Sequence, residues 1–212
     1  MMGFIYFLYS QGIHLFMIKA TKKDKELIVD ILTSAFEPIT IPNSINFVVK
    51  QDAKRRERLQ VLMEYLFNNS LRFGEVFLSD NRKACALIQY PHTKKITLQT
   101  VLWDFKLALK CIGLMNVVKV LKRELALKKY HTKEPHIHPM ILGTYSDERG
   151  KGHGFRLIKN LQEYYKDSTL PVIIETTTKE NLDLYQYFGF EIFKETSELQ
   201  YPLYFLRKNL NK

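Results

Sequence analysis

Three observations predict an α/β fold, a mixed central β-sheet flanked by helices. Short apolar runs of strand type alternate along the chain with segments whose apolar residues recur at helical spacing. One apolar run, Met140-Ile141-Leu142, feeds the glycine loop Arg149-Gly150-Lys151-Gly152-His153-Gly154, which opens a helix-patterned segment from Phe155 to Lys166. Strand, glycine loop and helix form a phosphate-binding device, because glycines let the backbone come close and the first free N–H groups of the helix point at the anion. Finally, 212 residues, 46% hydrophobic and 25% charged, suit a single domain with a substantial core.

The elements follow in order. Met17-Ile18-Lys19-Ala20 reads as an opening strand, and Thr21 with Asp24 supplies a helix start signal. Leu27, Ile28, Ile31, Leu32 and Ala35 then share one helical face, and Pro38 and Pro42 break the chain into a loop. Asp52 to Asn69 resumes helix on Leu59, Leu62, Met63 and Leu66, with a basic cluster, Lys54-Arg55-Arg56, at the unfavourable end of the dipole as a candidate contact surface. Gly74 ends that unit. Glu75–Leu78 and Ala84–Ile88 read as a hairpin turned at Asp80-Asn81. A helix-period region runs from about Leu98 to Tyr130, striped by Val101, Leu102, Phe105, Leu109, Ile112, Met115, Val118, Leu121 and Leu125 and broken at Gly113. His136 to Leu142 is the next strand. Phe155, Leu157, Ile158, Leu161 and Tyr164 or Tyr165 form the buried face of the helix after the loop. Val172–Thr176 is a strand, Asn181–Phe188 a short helix closed by Gly189, and Phe190–Phe193 with Tyr201–Arg207 a final strand pair.

A formal charge of +10 favours acidic partners, which by charge alone include nucleic acid, anionic lipid and a phosphorylated cofactor. Cys85 and Cys111 lack metal-type spacing and imply a reducing, cytoplasmic setting without disulfides. No apolar run approaches the roughly 18 residues of a membrane span, so no membrane partner is expected. The apolar stretch Phe4–Tyr9 lacks the basic flank of a signal peptide. Residues 1–16 are expected to be a spurious or disordered extension, with a natural start at Met17 and one domain over residues 17–212.

The loop fails two commoner tests. No Lys-Ser or Lys-Thr follows its last glycine, as a P-loop requires, and the Gly150, Gly152, Gly154 spacing is not that of a Rossmann fingerprint. What fits is R-x-x-G-x-G, Arg149 through Gly152 to Gly154, between strand and helix. This resembles motif A of the GCN5-related N-acetyltransferases (GNAT), and Tyr185-x-x-x-Gly189-Phe190 resembles that family's Y-x-x-x-G-F element. The resemblance is tight over residues 136–192 and loose elsewhere between about 18 and 207. It implies a GNAT-like sheet with a two-helix insertion before the fourth strand, about residues 98–131, as in a subset of the family that ends in a P-L-x-F-like strand, here Pro202-Leu203-Tyr204-Phe205.

The same resemblance implies acetyl-CoA as co-substrate, an amine acceptor and direct attack in a ternary complex. Leu142 and Thr144 would pair with the pantetheine arm, and Arg149, Gly150, Lys151, Gly152, His153 and Gly154 would hold the pyrophosphate, with the His153 ring facing solvent or phosphate. Tyr185 would protonate the departing thiolate. Glu175 is the best-placed base for the amine, directly or through water, and a backbone N–H of the splayed fourth strand would stabilise the oxyanion. Many relatives carry Asn seven residues before this Tyr; that position is Thr178, and Asn181 is the cofactor-contact candidate instead. The insert would act as a substrate lid or extend the core. His136 and His138 share a strand face, but with no further ligand at a matching spacing no metal is expected. Two other classes stay open: a non-catalytic acyl-CoA sensor, and a basic nucleic-acid binder centred on Lys54-Arg55-Arg56 and the insert's lysines. Nucleic acid is not the expected partner, since it leaves the glycine loop unexplained. The state is expected to be monomer or homodimer.

Overall fold

The computed structural model describes residues 17–198 and 201–210. The expectation about residues 1–16 and a start at Met17 lies outside them. Strand β1 (Met17–Lys19) turns at Thr21, whose N–H donates to Asp24 Oδ2 at 2.9 Å while Lys23 N–H donates to Thr21 Oγ1 at 3.3 Å. That reciprocal cap starts helix α1 (Lys25–Phe36), which buries Ile28, Ile31 and Leu32 as its periodicity requires. The Pro38–Pro42 loop is followed by a short helix, α2 (Ser44–Val48), capped by Asn43 Oδ1 accepting from Asn46 N–H at 2.8 Å. Five residues are too few to show a periodicity, so this helix escaped the sequence reading.

Helix α3 (Arg55–Phe73) starts three residues later than expected and runs on through Asn69. Its basic cluster is only partly free, with Lys54 and Arg56 exposed and Arg55 turned inward. Arg55 donates to Ile39 O at 2.8 Å, Glu37 O at 2.5 Å and Asn46 Oδ1 at 2.9 Å, and Arg56 pairs with Glu37. The cluster thus closes the carbonyl end of α1, where cations are favoured.

Gly74 ends α3 as expected, at its C-cap, and also opens β2 (Gly74–Ser79), which pairs antiparallel with β3 (Ala84–Gln89). Its backbone is extended; glycine is needed for space, since a Cβ there would lie 2.1 Å from Ile88 O. A backbone atom cannot swing aside. Gly74→Ala is therefore expected to lower stability by about 3 kcal/mol, the upper end for overpacking. Gly143→Ala, which would meet the tip of Leu32, should cost less; paired thermal melts compare the two.

Helix α4 (Leu98–Leu107) continues through one π turn to Ile112, and Gly113, at φ +75°, breaks it from α5 (Leu114–Leu127). The break is where the sequence put it, but the apolar stripe faces outward. Apart from Ile112, its residues are exposed, because Leu107, Cys111, Val120 and Leu127 already occupy the inward side. The insert therefore does not bury its main stripe in the core.

The remaining elements are β4 (His138–Thr144), α6 (His153–Tyr164), β5 (Val172–Thr176), α7 (Lys179–Tyr187), β6 (Glu191–Thr196) and β7 (Leu203–Lys208). Helix α6 buries Leu157, Ile158 and Leu161, but Phe155, expected on that face, is 39% exposed and rests on Phe188 instead. Gly189, at φ +81°, closes α7 as predicted, and Phe190 N–H donates back to Tyr185 O at 3.0 Å.

The strands form two antiparallel sheets, β1-β2-β3-β4 and β5-β7-β6, joined by one parallel bridge, Ile137 to Val172. Ile137 N–H donates to Pro171 O and Ile173 N–H donates to Ile137 O, both at 2.9 Å. In a parallel ladder the next donor toward β5 would be residue 139, aimed at Ile173 O. That residue is Pro139, which has no N–H. His138 Nδ1 supplies the bond instead, at 3.1 Å from Ile173 O. Pairing stops there and the two strands separate.

A candidate active-site cleft between two splayed strands

The separation opens a cleft of about 230 Å³. Met140 and Leu142 line it from β4, Ile174, Glu175 and Thr176 from β5, Ser44 and Ile45 from α2, and Thr178, Asn181 and Tyr185 from around α7. On β4 the register against β3 slips: Leu87 faces Ile141 and Ile88 faces Pro139, leaving Met140 unmatched. A bulge of this kind frees backbone groups beside a site.

Past the end of β4 the glycine loop is open. Gly150 and Gly152, at φ +80° and +79°, are left-handed, and a Cβ on either would meet nothing within 4 Å. The first helical bond of α6 is Arg156 N–H to Gly152 O at 3.0 Å, so the N–H groups of residues 153–155 precede the ladder and face outward. Arg149 and Lys151 are exposed beside them. Gly154 serves another need: its Cβ would press on Leu142 and Thr144 at 3.3 and 3.5 Å, so glycine seats α6 on β4.

The His153 side chain does not face solvent. Its ring is only 10% exposed; Arg156 donates to Nδ1 at 2.7 Å and Nε2 donates to Glu148 Oε2 at 3.2 Å. Asn81, at the β2–β3 turn, donates to the same Nδ1 at 3.0 Å. The histidine braces the loop against a neighbouring hairpin, and only its backbone is offered to an anion. Lys151 and His153 together hold the Glu148 carboxyl below its usual range.

Glu175 lines the cleft but is not alone. His131 Nε2 lies 2.9 Å from its Oε1. Burial pushes the Glu175 carboxyl up, but the His131 hydrogen bond and the charges of His138, His131 and Arg123 outweigh it, and the net direction is down. His131 in turn is raised, chiefly by that bond. His138 is lowered by burial, and its Nδ1 donates to Ile173 O. No spacing rule links residues 131 and 175; the insert's exit brings them together.

Tyr185 lines the same cleft, its ring edge-on to Phe190 at 5.8 Å, and burial pushes its phenol up to about 12. Thr178 caps α7 by accepting from Asn181 N–H at 3.4 Å. Asn181 is exposed at the rim. Thr176 Oγ1, buried at the end of β5, has no hydrogen-bond partner among the described residues. An orphaned hydroxyl, open left-handed glycines, free helix N–H groups and two exposed cations fit an extended phosphorylated ligand running from loop to cleft. Among the described residues no cluster of three or more potential metal ligands is present.

No protein-family model matches this sequence, and no curated protein matches it. Solved structures do share its fold. A histone acetyltransferase HPA2 and related acetyltransferase from Corynebacterium glutamicum matches with TM-score 0.63 at 19% identity, over 91% of this chain and 94% of that one. Arylalkylamine N-acetyltransferase 2 from Aedes aegypti matches with TM-score 0.60 at 15% identity, over 92% and 98%. The ribosomal-protein-S18-alanine N-acetyltransferase from Escherichia coli matches with TM-score 0.53 at 10% identity, over 92% and 94%. The fold is that of the GCN5-related N-acetyltransferases.

Proposed function

We propose that this chain is an acetyl-CoA-dependent N-acetyltransferase. The carrying observation is an open, cationic glycine loop whose helix sits on Leu142 of β4, a residue that also lines the cleft holding the Tyr185 phenol and the Glu175 carboxyl. When bound, acetyl-CoA supplies the acyl group as a thioester. Arg149 to Gly154 would hold its phosphates, Leu142, Thr144 and Asn181 its arm, and a backbone N–H near Met140 the negative oxygen.

Tyr185 Oη keeps its proton at neutral pH and would offer it to the leaving sulfur of a bound thioester. A phenol at about 12 is a poor donor to a thiol of ordinary pKa about 8.5. Burial that raises the phenol would also raise a thiol leaving into the same cleft, which narrows the difference between donor and acceptor.

Glu175 receives the amine proton, and His131 positions it and keeps it ionised. Removing that partner as His131→Gln leaves a buried carboxylate, whose pKa must rise. A base works deprotonated, so the acid limb of the kcat/KM profile is expected to move to higher pH, read from the pH-rate profiles of both proteins. The acceptors named for the structural neighbours range from arylalkylamines to a ribosomal protein's alanine, so fold does not choose among amines. Thiol release from acetyl-CoA across a panel of amines and peptide N-termini tests the reading; no amine-dependent release by a protein that binds acetyl-CoA would leave the sensor class.

A further inference from the structure

Helix α5 is turned inside out. Its Arg123 is 9% exposed, while Leu114 and Met115 are 70% and 95% exposed. The orientation is fixed: Arg123 donates to Tyr201 Oη and Ser44 Oγ, both at 2.9 Å, and lies over the Phe47 ring. The stripe on the opposite side, Leu114, Val118, Leu121 and Leu125, cannot roll inward without breaking those bonds. Helix α4 repeats the pattern with Leu98, Val101, Leu102, Phe105 and Leu109, where Phe105 is 63% exposed. Monomeric soluble proteins rarely leave so many large apolar side chains grouped in water.

The charge shows what covers them. Residues 94–129, about a sixth of the chain, hold eight lysines and one arginine against Asp104 and Glu124, a net +7 of the chain's +10. Lys94, Lys95, Lys110, Lys119, Lys122 and Lys128 have no carboxylate partner among the described residues. A second copy of this face would bring two cationic surfaces together. Phosphate backbones alone would leave the leucines in water. An apolar stripe flanked by lysines whose stems reach past it matches one surface, the boundary of a bilayer bearing anionic headgroups.

We infer that the α4–α5 pair is a membrane-surface docking element that lays its leucine stripe into an anionic bilayer. No described helix is long and apolar enough to cross a membrane, but lying on a surface needs no span. The test is flotation of the full chain with vesicles of phosphatidylcholine, alone or mixed with phosphatidylglycerol, at low and high salt. Binding to the anionic vesicles, weakened by salt, is expected. Lys110→Ala with Lys122→Ala should weaken it roughly thirtyfold, at the usual worth of a lysine near an anionic surface. Phe105→Glu with Leu121→Glu should abolish it at unchanged melting temperature. Should that pair fail to fold, Leu114→Gln with Leu125→Gln carries the same test. The inference falls if the folded chain ignores anionic vesicles or if the stripe variants bind as well as the parent. It falls equally if the stripe variants merely dissolve a dimer that never touches vesicles.

Discussion

A chain carrying Arg149→Glu and Gly152→Asp should melt close to the parent and gain nothing from saturating acetyl-CoA. The parent should gain about 3–4 kcal/mol at 100 to 1,000 times the dissociation constant, which for a domain of this size is roughly 6–16 °C. The contrast rests on the openness of the loop. Nothing lies within 4 Å of a Cβ at Gly152, so an aspartate there meets no neighbour, and its left-handed φ of +79° is one that aspartate tolerates at a modest cost. Arg149 is exposed, so its replacement removes no packing. What changes is the sign of the charge at the helix N-terminus: two carboxylates replace a cation and an empty anion cradle. Gly154→Val is a separate case, because its side chain would push α6 from Leu142 and Thr144 and lower the unliganded melt as well. A ligand shift that survives in the double variant would remove the loop from the proposal.

Much of this was legible because the informative residues are local. The glycine loop, the Thr21 and Gly189 caps and the strand pair around Asp80-Asn81 each declare themselves within a few residues. The features that the sequence hid are long-range. Arg55 reads as a surface cation until α1 ends beside it, and His153 reads as a loop residue until Asn81 and Glu148 close on it. The stripe of α4 and α5 was visible, but helical period alone does not say whether an apolar face looks inward or out. Only the burial of Arg123 settles that. Pro139 lies between: its missing N–H is in the sequence, yet its meaning depends on β5 standing beside it in parallel register.

Tyr185→Phe is expected to lower kcat by about 10²–10⁴, the usual worth of a positioned proton donor, with the KM for acetyl-CoA nearly unchanged. Phenylalanine keeps the edge contact with Phe190 and the apolar wall of the cleft, so neither fold nor binding should suffer. The pH profile separates a donor from a packing residue. A donor must be protonated, and burial has moved this phenol up to about 12, so in the native protein Tyr185 should contribute no falling limb between pH 8 and 10. A limb near the ordinary phenol value of about 10 that vanishes in the variant would show that the hydroxyl is solvated and the cleft wetter than its lining implies. An unchanged kcat would assign Tyr185 to packing alone. It would also shift attention to how the leaving thiolate is stabilised without a proton, for which the Thr176 hydroxyl, partnerless among the described residues, is a candidate donor in the cleft. Binding that persists with no turnover in the parent would instead make the cleft a sensor, and Tyr185 and Glu175 would then have no chemical task. A phenol and a carboxylate that line one cleft, on a strand end and a helix beside an open glycine loop, are the placement that a proton donor and a base need, which is why turnover is the expected outcome.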